Sequence, residues 1–260
     1  MQKSLEPIFP PHLDYLKNPE IIWFNPCWGY FDFWKKLNEF QKEKGINFNA
    51  AWGHRDFKKS KEKYASAMVA LCMQQTEQSQ NGWWFTKTSQ DPPDGVIGTV
   101  QDKNLEGNIM SVREIEIVEH FEGSLLGTIK NKLGVKRYEP NTILICLISP
   151  KETIVSYNFK AISEELNKMN LSLAHVFVVF HGLKIASSLK DLTQNQAVEE
   201  LLKISLVQLT PKYSVTSISP HNVCRQFLSG KQEAWLKFTG RGLKIGFQNV
   251  TSAEVPVLYD

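Results

Sequence analysis

Cysteine is scarce in this 260-residue chain, with four in all: Cys27, Cys72, Cys146 and Cys224. They lie far apart and form no CxxC pair, which excludes the usual zinc spacings and redox motifs. Cys72 and Cys146 sit in apolar runs as small core residues, a usage that suits a reducing compartment. No apolar run approaches the roughly 20 residues that span a bilayer. The opening MQKSLEPIFPPHLDYL lacks the apolar centre of a secretory signal. The expectation is a soluble, cytoplasmic protein with no membrane partner. Charge is nearly balanced, 30 Lys+Arg against 27 Asp+Glu for a net +3. That lean is compatible with nucleic acid without demanding it. GxGxxG, GxxxxGK[ST] and GxSxG are all absent, which removes support for a dinucleotide, nucleotide or hydrolase-elbow enzyme. There is no internal repeat and no low-complexity tract.

Hydrophobic residues make up 42% of the chain, enough for a sizeable core. Residues 1–30, rich in proline and aromatics, read as an irregular arm because proline blocks long helix. Phe31 to Lys44 reads as a helix stopped by Gly45. Asp56 to Gln78 reads as a longer one, with Phe57, Tyr64, Met68, Leu71 and Cys72 on one stripe. GWWFTKT begins an extended segment. Strands follow at Asp94–Gln101 and Ser111–Phe121, expected to form an antiparallel hairpin. TILICLI, ending at Ile148, is apolar throughout and reads as a strand buried on both faces. A helix over Phe159–Met169 leads to a second buried strand at His175–Gly182, and a helix between two buried strands implies a parallel crossover. Beyond it, a helix at 195–203, an extended LVQLTPKYSVTSI, a helix at 222–228 and a hairpin turning at Thr239–Gly242 are expected. The predicted division is an arm with a helix (1–55), an α/β core (56–185) and a C-terminal extension (186–260).

The chemistry-bearing pattern lies on the second strand. Alternation puts Glu114, Glu116 and His120 on one face beside Val118. A buried charge is costly unless it is paired or coordinated. If Asp94, in PPDG, lies at the near end of the neighbouring strand, three carboxylates converge. A divalent cation with oxygen ligands is the usual answer to such a cluster, and Mg²⁺ suits it.

These residues and this order resemble the PD-(D/E)xK nuclease superfamily, whose restriction-endonuclease-like core runs helix, three strands, helix, strand in a mixed sheet flanked by helices. The resemblance covers roughly residues 56–182. It implies that Asp94, after Pro93, is the metal-binding Asp. The second motif fits two registers: Glu114-Ile115-Glu116, with Glu116 in the usual Lys position, or Glu116-Ile117-Val118, whose last position is apolar and leaves no residue to orient the attacking water; the first is the register expected of an active enzyme. Lys130, Lys132 and Lys136 lie close in sequence, and any one of them can enter the site. Glu62 lies on a helix where the superfamily sometimes supplies a further acid, but flanked by Lys61 and Lys63 it reads as a solvated face.

The function implied is Mg²⁺-dependent phosphodiester hydrolysis, with Mn²⁺ as substitute, on nucleic acid and on DNA ahead of RNA. Asp94, Glu114 and Glu116 would serve as catalytic and metal-binding residues and His120 as a general base. Lys58, Lys59 and Lys61 would touch the phosphate backbone, and a homodimer or a larger complex is the expected assembly. The alternative is an inactive nuclease-fold protein that binds nucleic acid or protein as a subunit.

Overall fold

A computed structural model describes residues 11–18, 21–76, 82–86, 93–101, 109–135, 137–149, 157–181, 204–219, 231–239 and 242–249. The first long helix, α1 (Pro26–Lys44), starts five residues earlier than periodicity alone places it. The Asn25 side chain accepts the Cys27 N–H at 2.9 Å, and Pro26 occupies the first turn, where a missing N–H costs nothing. Gly45, at φ +63°, ends it in the left-handed region, its N–H donating to the Gln41 carbonyl. After a short α2 (Phe48–Gly53) and one 3-10 turn comes α3 (Lys58–Thr76). From Tyr64 to Met73 nearly every side chain of α3 is buried, so this helix lies inside the protein rather than on its surface. At Gly29 the α1 backbone lies against it, where a Cβ would stand 2.6 Å from the Ala67 Cβ.

The described strands form one ten-stranded mixed sheet in the order β10 (Gly242–Asn249), β9 (Lys231–Thr239), β1 (Trp23–Phe24), β2 (Trp84–Thr86), β3 (Gly95–Gln101), β4 (Ile109–His120), β5 (Ile143–Ile148), β6 (His175–His181), β7 (Ile204–Thr210), β8 (Ser214–Ile218). Its centre is β2 (Trp84–Thr86), β3 (Gly95–Gln101), β4 (Ile109–His120), β5 (Ile143–Ile148) and β6 (His175–His181). β3 and β4 pair antiparallel as the sequence suggested, and β4, β5 and β6 run parallel. One helix was not anticipated. α4 (Leu125–Val135) crosses from β4 to β5, and α5 (Phe159–Asn167) crosses from β5 to β6. A parallel pair requires such a connection of a dozen or more residues, and 121–142 provides the room. The order helix, three strands, helix, strand therefore falls on α3, β2, β3, β4, α4 and β5. That is one step earlier than the sequence reading, which had counted β5 as the third strand.

The segment read as an irregular arm carries a 3-10 helix (Pro11–Lys17) and β1 (Trp23–Phe24), which joins β2 to β9 within the sheet. The C-terminal strands extend both edges. β7 (Ile204–Thr210) and β8 (Ser214–Ile218) add beyond β6, while β9 (Lys231–Thr239) and β10 (Gly242–Asn249) add beside β1. Gly242 pairs with Thr239, where the hairpin turn was expected. The helices expected at 195–203 and 222–228 lie outside the described residues. No helix among the described residues is long and apolar enough to cross a membrane.

The two sheet faces are covered differently. One face carries a continuous core under α1, α2 and α3, including Ile97, Ile115, Ile143 and Ile145. The other carries two clusters. Leu13, Leu16, Trp23, Trp84, Val96 and Val112 pack under the N-terminal 3-10 helix, and Leu125, Ile129, Leu144, Cys146 and Ile148 pack under α4 and α5. On β4, Val112 belongs to the first cluster and Val118 packs on the second. Glu114 and Glu116 fall between them.

Candidate active site

β4 is longer than its neighbour. β3 covers it from Ile109 to Ile115, where Gly95 is the last pairing residue, and β5 covers it from Ile115 to His120. Past Ile115 the β3-side edge of β4 would expose unpaired backbone, which is costly when buried. Asp94 closes that gap. Its N–H donates to the Ile115 carbonyl at 3.0 Å, and its Oδ2 accepts the Ile117 N–H at 2.8 Å. The antiparallel register that sets Gly95 opposite Ile115 and Val96 opposite Glu114 brings Asp94 alongside Glu116. Burial raises the Asp94 pKa above the ordinary carboxylate value; Glu62 and Glu116 add to the rise, while the Ile117 N–H and Lys132 oppose it.

Glu116 is buried, and its Oε2 lies 3.0 Å from the Lys132 Nζ. Of the three lysines that sequence left open, Lys136 lies outside the described residues, and Lys132 meets a carboxylate of the pair. Its own turn of α4 is tied down by the Tyr138 hydroxyl, which donates to the Lys132 carbonyl at 2.9 Å. The Tyr138 pKa is pushed up to about 12, first by burial and then by Glu116 and Asp94. Asp94, Glu116, Lys132 and Tyr138 therefore share one electrostatic neighbourhood.

Glu62 approaches Asp94 from the opposite side. It is only 4% exposed, so the solvated face expected from its lysine neighbours is not what the fold gives. Lys58 and Lys59 stand 3.5 and 3.0 Å from its two oxygens as ion pairs, and neither oxygen has a hydrogen-bond partner among the described residues. Gly95 brings the helix this close: a Cβ there would stand 2.7 Å from the Ser66 Oγ, itself bonded to the Glu62 carbonyl at 3.0 Å. Glu62, Ser66, Asp94, Gly95, Lys59 and Lys63 line a small cleft of about 340 Å³ including its open mouth.

The remaining sequence candidates have contacts of their own. Glu114 is held by the Thr142 hydroxyl, which donates to it at 3.3 Å, and by His12 Nε2 at 3.4 Å. Burial raises the Glu114 pKa; His12 and Thr142 oppose the rise, while Glu139 and Glu116 add to it. His120 is completely buried, with Nδ1 2.9 Å from the Thr128 Oγ1 and Nε2 2.9 Å from the Tyr157 hydroxyl. Both of its ring nitrogens are engaged by these hydroxyls. Lys58 and Lys59 have side chains 66% and 58% exposed, so a phosphate can reach them. Lys61 is buried, with its Nζ 2.5 Å from the Glu119 Oε1, and offers nothing to an external phosphate.

Among the described residues, no group of three or more His, Cys, Asp or Glu side chains is arranged to hold a metal ion. Oxygen donors are what a hard divalent cation takes, and Asp94 is disfavoured in its charged form by burial and by the Glu62 and Glu116 carboxylates. Comparison of the chain with protein-family models, with curated proteins and with solved structures gave no match.

Proposed function

We propose that the protein is a metal-dependent nuclease of the PD-(D/E)xK kind, acting on DNA ahead of RNA, with Asp94 and Glu116 as its acidic pair and Lys132 as its cation. The observation that carries this reading is the 3.0 Å approach of Lys132 to Glu116 beside Asp94. The resembling motif needs a lysine near its second acid, and β4 offers only Val118 in that register; α4 supplies the ammonium from the side. The order of α3, β2, β3, β4, α4 and β5 supports the same reading.

Mg²⁺, or Mn²⁺ in its place, would be held by Asp94 and Glu116 with Glu62 nearby, and would acidify a water and offset negative charge on the phosphoryl oxygens. The chain's own residues do the rest. Asp94 is fixed by two backbone hydrogen bonds, so its carboxylate needs little reorganisation when substrate arrives. Lys132 holds a positive charge where a phosphate oxygen gains negative charge as water adds and a sugar–oxygen bond to phosphorus breaks. Lys58 and Lys59, at the exposed start of α3, meet the neighbouring backbone phosphates.

The alternative, a nuclease fold that only binds nucleic acid or a protein partner, is favoured by one feature: Lys132 already neutralises the Glu116 oxygen that a metal would use. Incubation of plasmid, single-stranded DNA and RNA with Mg²⁺ or Mn²⁺ separates the two. Cutting that needs the ion and disappears in Asp94→Ala supports the nuclease; binding of nucleic acid without ion uptake or cutting supports the alternative.

A further inference from the structure

His120 was a candidate base from sequence, and the proposed chemistry does not use it. Its contacts give it another role. It ends β4, and its Nδ1 lies 2.9 Å from the Thr128 Oγ1 in the second turn of α4. Thr128 is four residues before Lys132, so the two share a helix face. On the other side of the ring, Nε2 lies 2.9 Å from the Tyr157 hydroxyl, just before α5, with the two rings edge to face. The helix turn that carries Lys132 is therefore gripped at both ends, by His120 through Thr128 and by Tyr138 at the Lys132 carbonyl. A lysine has four rotatable bonds and strays readily, so a fixed backbone beneath it is what keeps its ammonium at Glu116. We infer that His120 is a positioning residue, which through the Thr128 hydroxyl sets α4 so that Lys132 meets Glu116. The inference rests on the proposed role of Lys132, but the His120–Thr128 contact it uses is independent of any metal or substrate.

Because His120 is fully buried, the test is made at Thr128. Thr128→Val keeps the shape and removes the hydroxyl, and Thr128→Ser keeps the hydroxyl. Amine acetylation followed by peptide mass spectrometry reads the protection of Lys132, with exposed Lys130 as internal reference. The expected result is Lys132 labelling raised about fivefold by Thr128→Val, the size that loss of one hydrogen bond permits. Glu116→Gln should match or exceed that rise, and Thr128→Ser should stay at the wild-type level. Equal labelling of Lys132 in wild type and Thr128→Val, or a rise in Thr128→Ser equal to that in Thr128→Val, overturns the inference. In the cleavage assay Thr128→Val should lower kcat and leave KM for plasmid unchanged. A wild-type protein that cuts nothing removes the nuclease reading alone, since the labelling comparison still decides the positioning role.

Discussion

Glu114 and Glu116 stand two residues apart on one face of β4, yet they live in different surroundings. At Glu114 the strand is still paired with β3. The N-terminal 3-10 helix lies over that region, and His12 and Thr142 attend the carboxylate. At Glu116 β3 has ended, Asp94 has taken over its hydrogen bonding, and a lysine from α4 reaches in. The sequence gives the two glutamates the same pattern; the point at which a neighbouring strand stops makes one an anchor for the arm and the other part of a candidate site.

The largest effect should come from removing the groups at the break. Asp94→Ala and Lys132→Met are expected to lower metal-dependent turnover on the order of 10²–10⁴-fold, the range for a positioned acid, base or charge, measured as plasmid nicking at saturating ion. The close approach at Gly95 comes next. Gly95→Ala should cost about 1–3 kcal/mol in urea unfolding through overpacking. Ser66→Ala, by removing the oxygen that the new methyl would strike, should recover most of that loss in the double variant.

A smaller effect of definite sign follows from Asp94 itself. Its raised pKa means that the folded protein keeps a proton which the unfolded chain releases. That contribution is full below the ordinary carboxylate pKa and is lost as pH rises through the raised value. Metal-free Asp94→Asn, which cannot ionise, should therefore be more stable than wild type at pH 7. At about pH 3, where the unfolded aspartate is largely protonated, the advantage should be gone. Smallest is the arm contact. His12 is 43% exposed, so His12→Ala should cost under about 1 kcal/mol and leave cleavage unaltered.

Sequence pattern was sufficient for the β3–β4 hairpin, for β5 and β6 as continuous apolar runs, and for the helices α1, α3 and α5; the single stripe read on α3 understated a helix that is buried nearly all round from Tyr64 to Met73. It failed at α4, where Gly127, Thr128 and Gly134 are weak helix formers that mask the pattern of Leu125 and Ile129. The overlooked cue was Ser124, whose hydroxyl accepts the Gly127 N–H at 3.1 Å and caps the helix. Without α4, nothing distinguished Lys132 from Lys130 and Lys136. With it, Lys132 sits three residues after buried Ile129, on the inner side, and Lys130 does not. The roles of Glu114 and Glu116 depended on the pairing of Gly95 with Ile115, a non-local register that local pattern does not carry. Glu62 and Lys61 were hidden for another reason: charged residues in a lysine-rich stretch are ordinarily solvated. Here Lys61 turns inward to Glu119, and Glu62 is covered by Lys58 and Lys59.

The most direct test places Glu116→Gln and Glu114→Gln side by side on supercoiled plasmid with Mg²⁺, both checked for folding. The expected result is cutting by wild type and by Glu114→Gln at similar rates, with Glu116→Gln inactive. Equal loss in both variants, or undiminished cutting by Glu116→Gln, would contradict the assignment of the site to the end of β3.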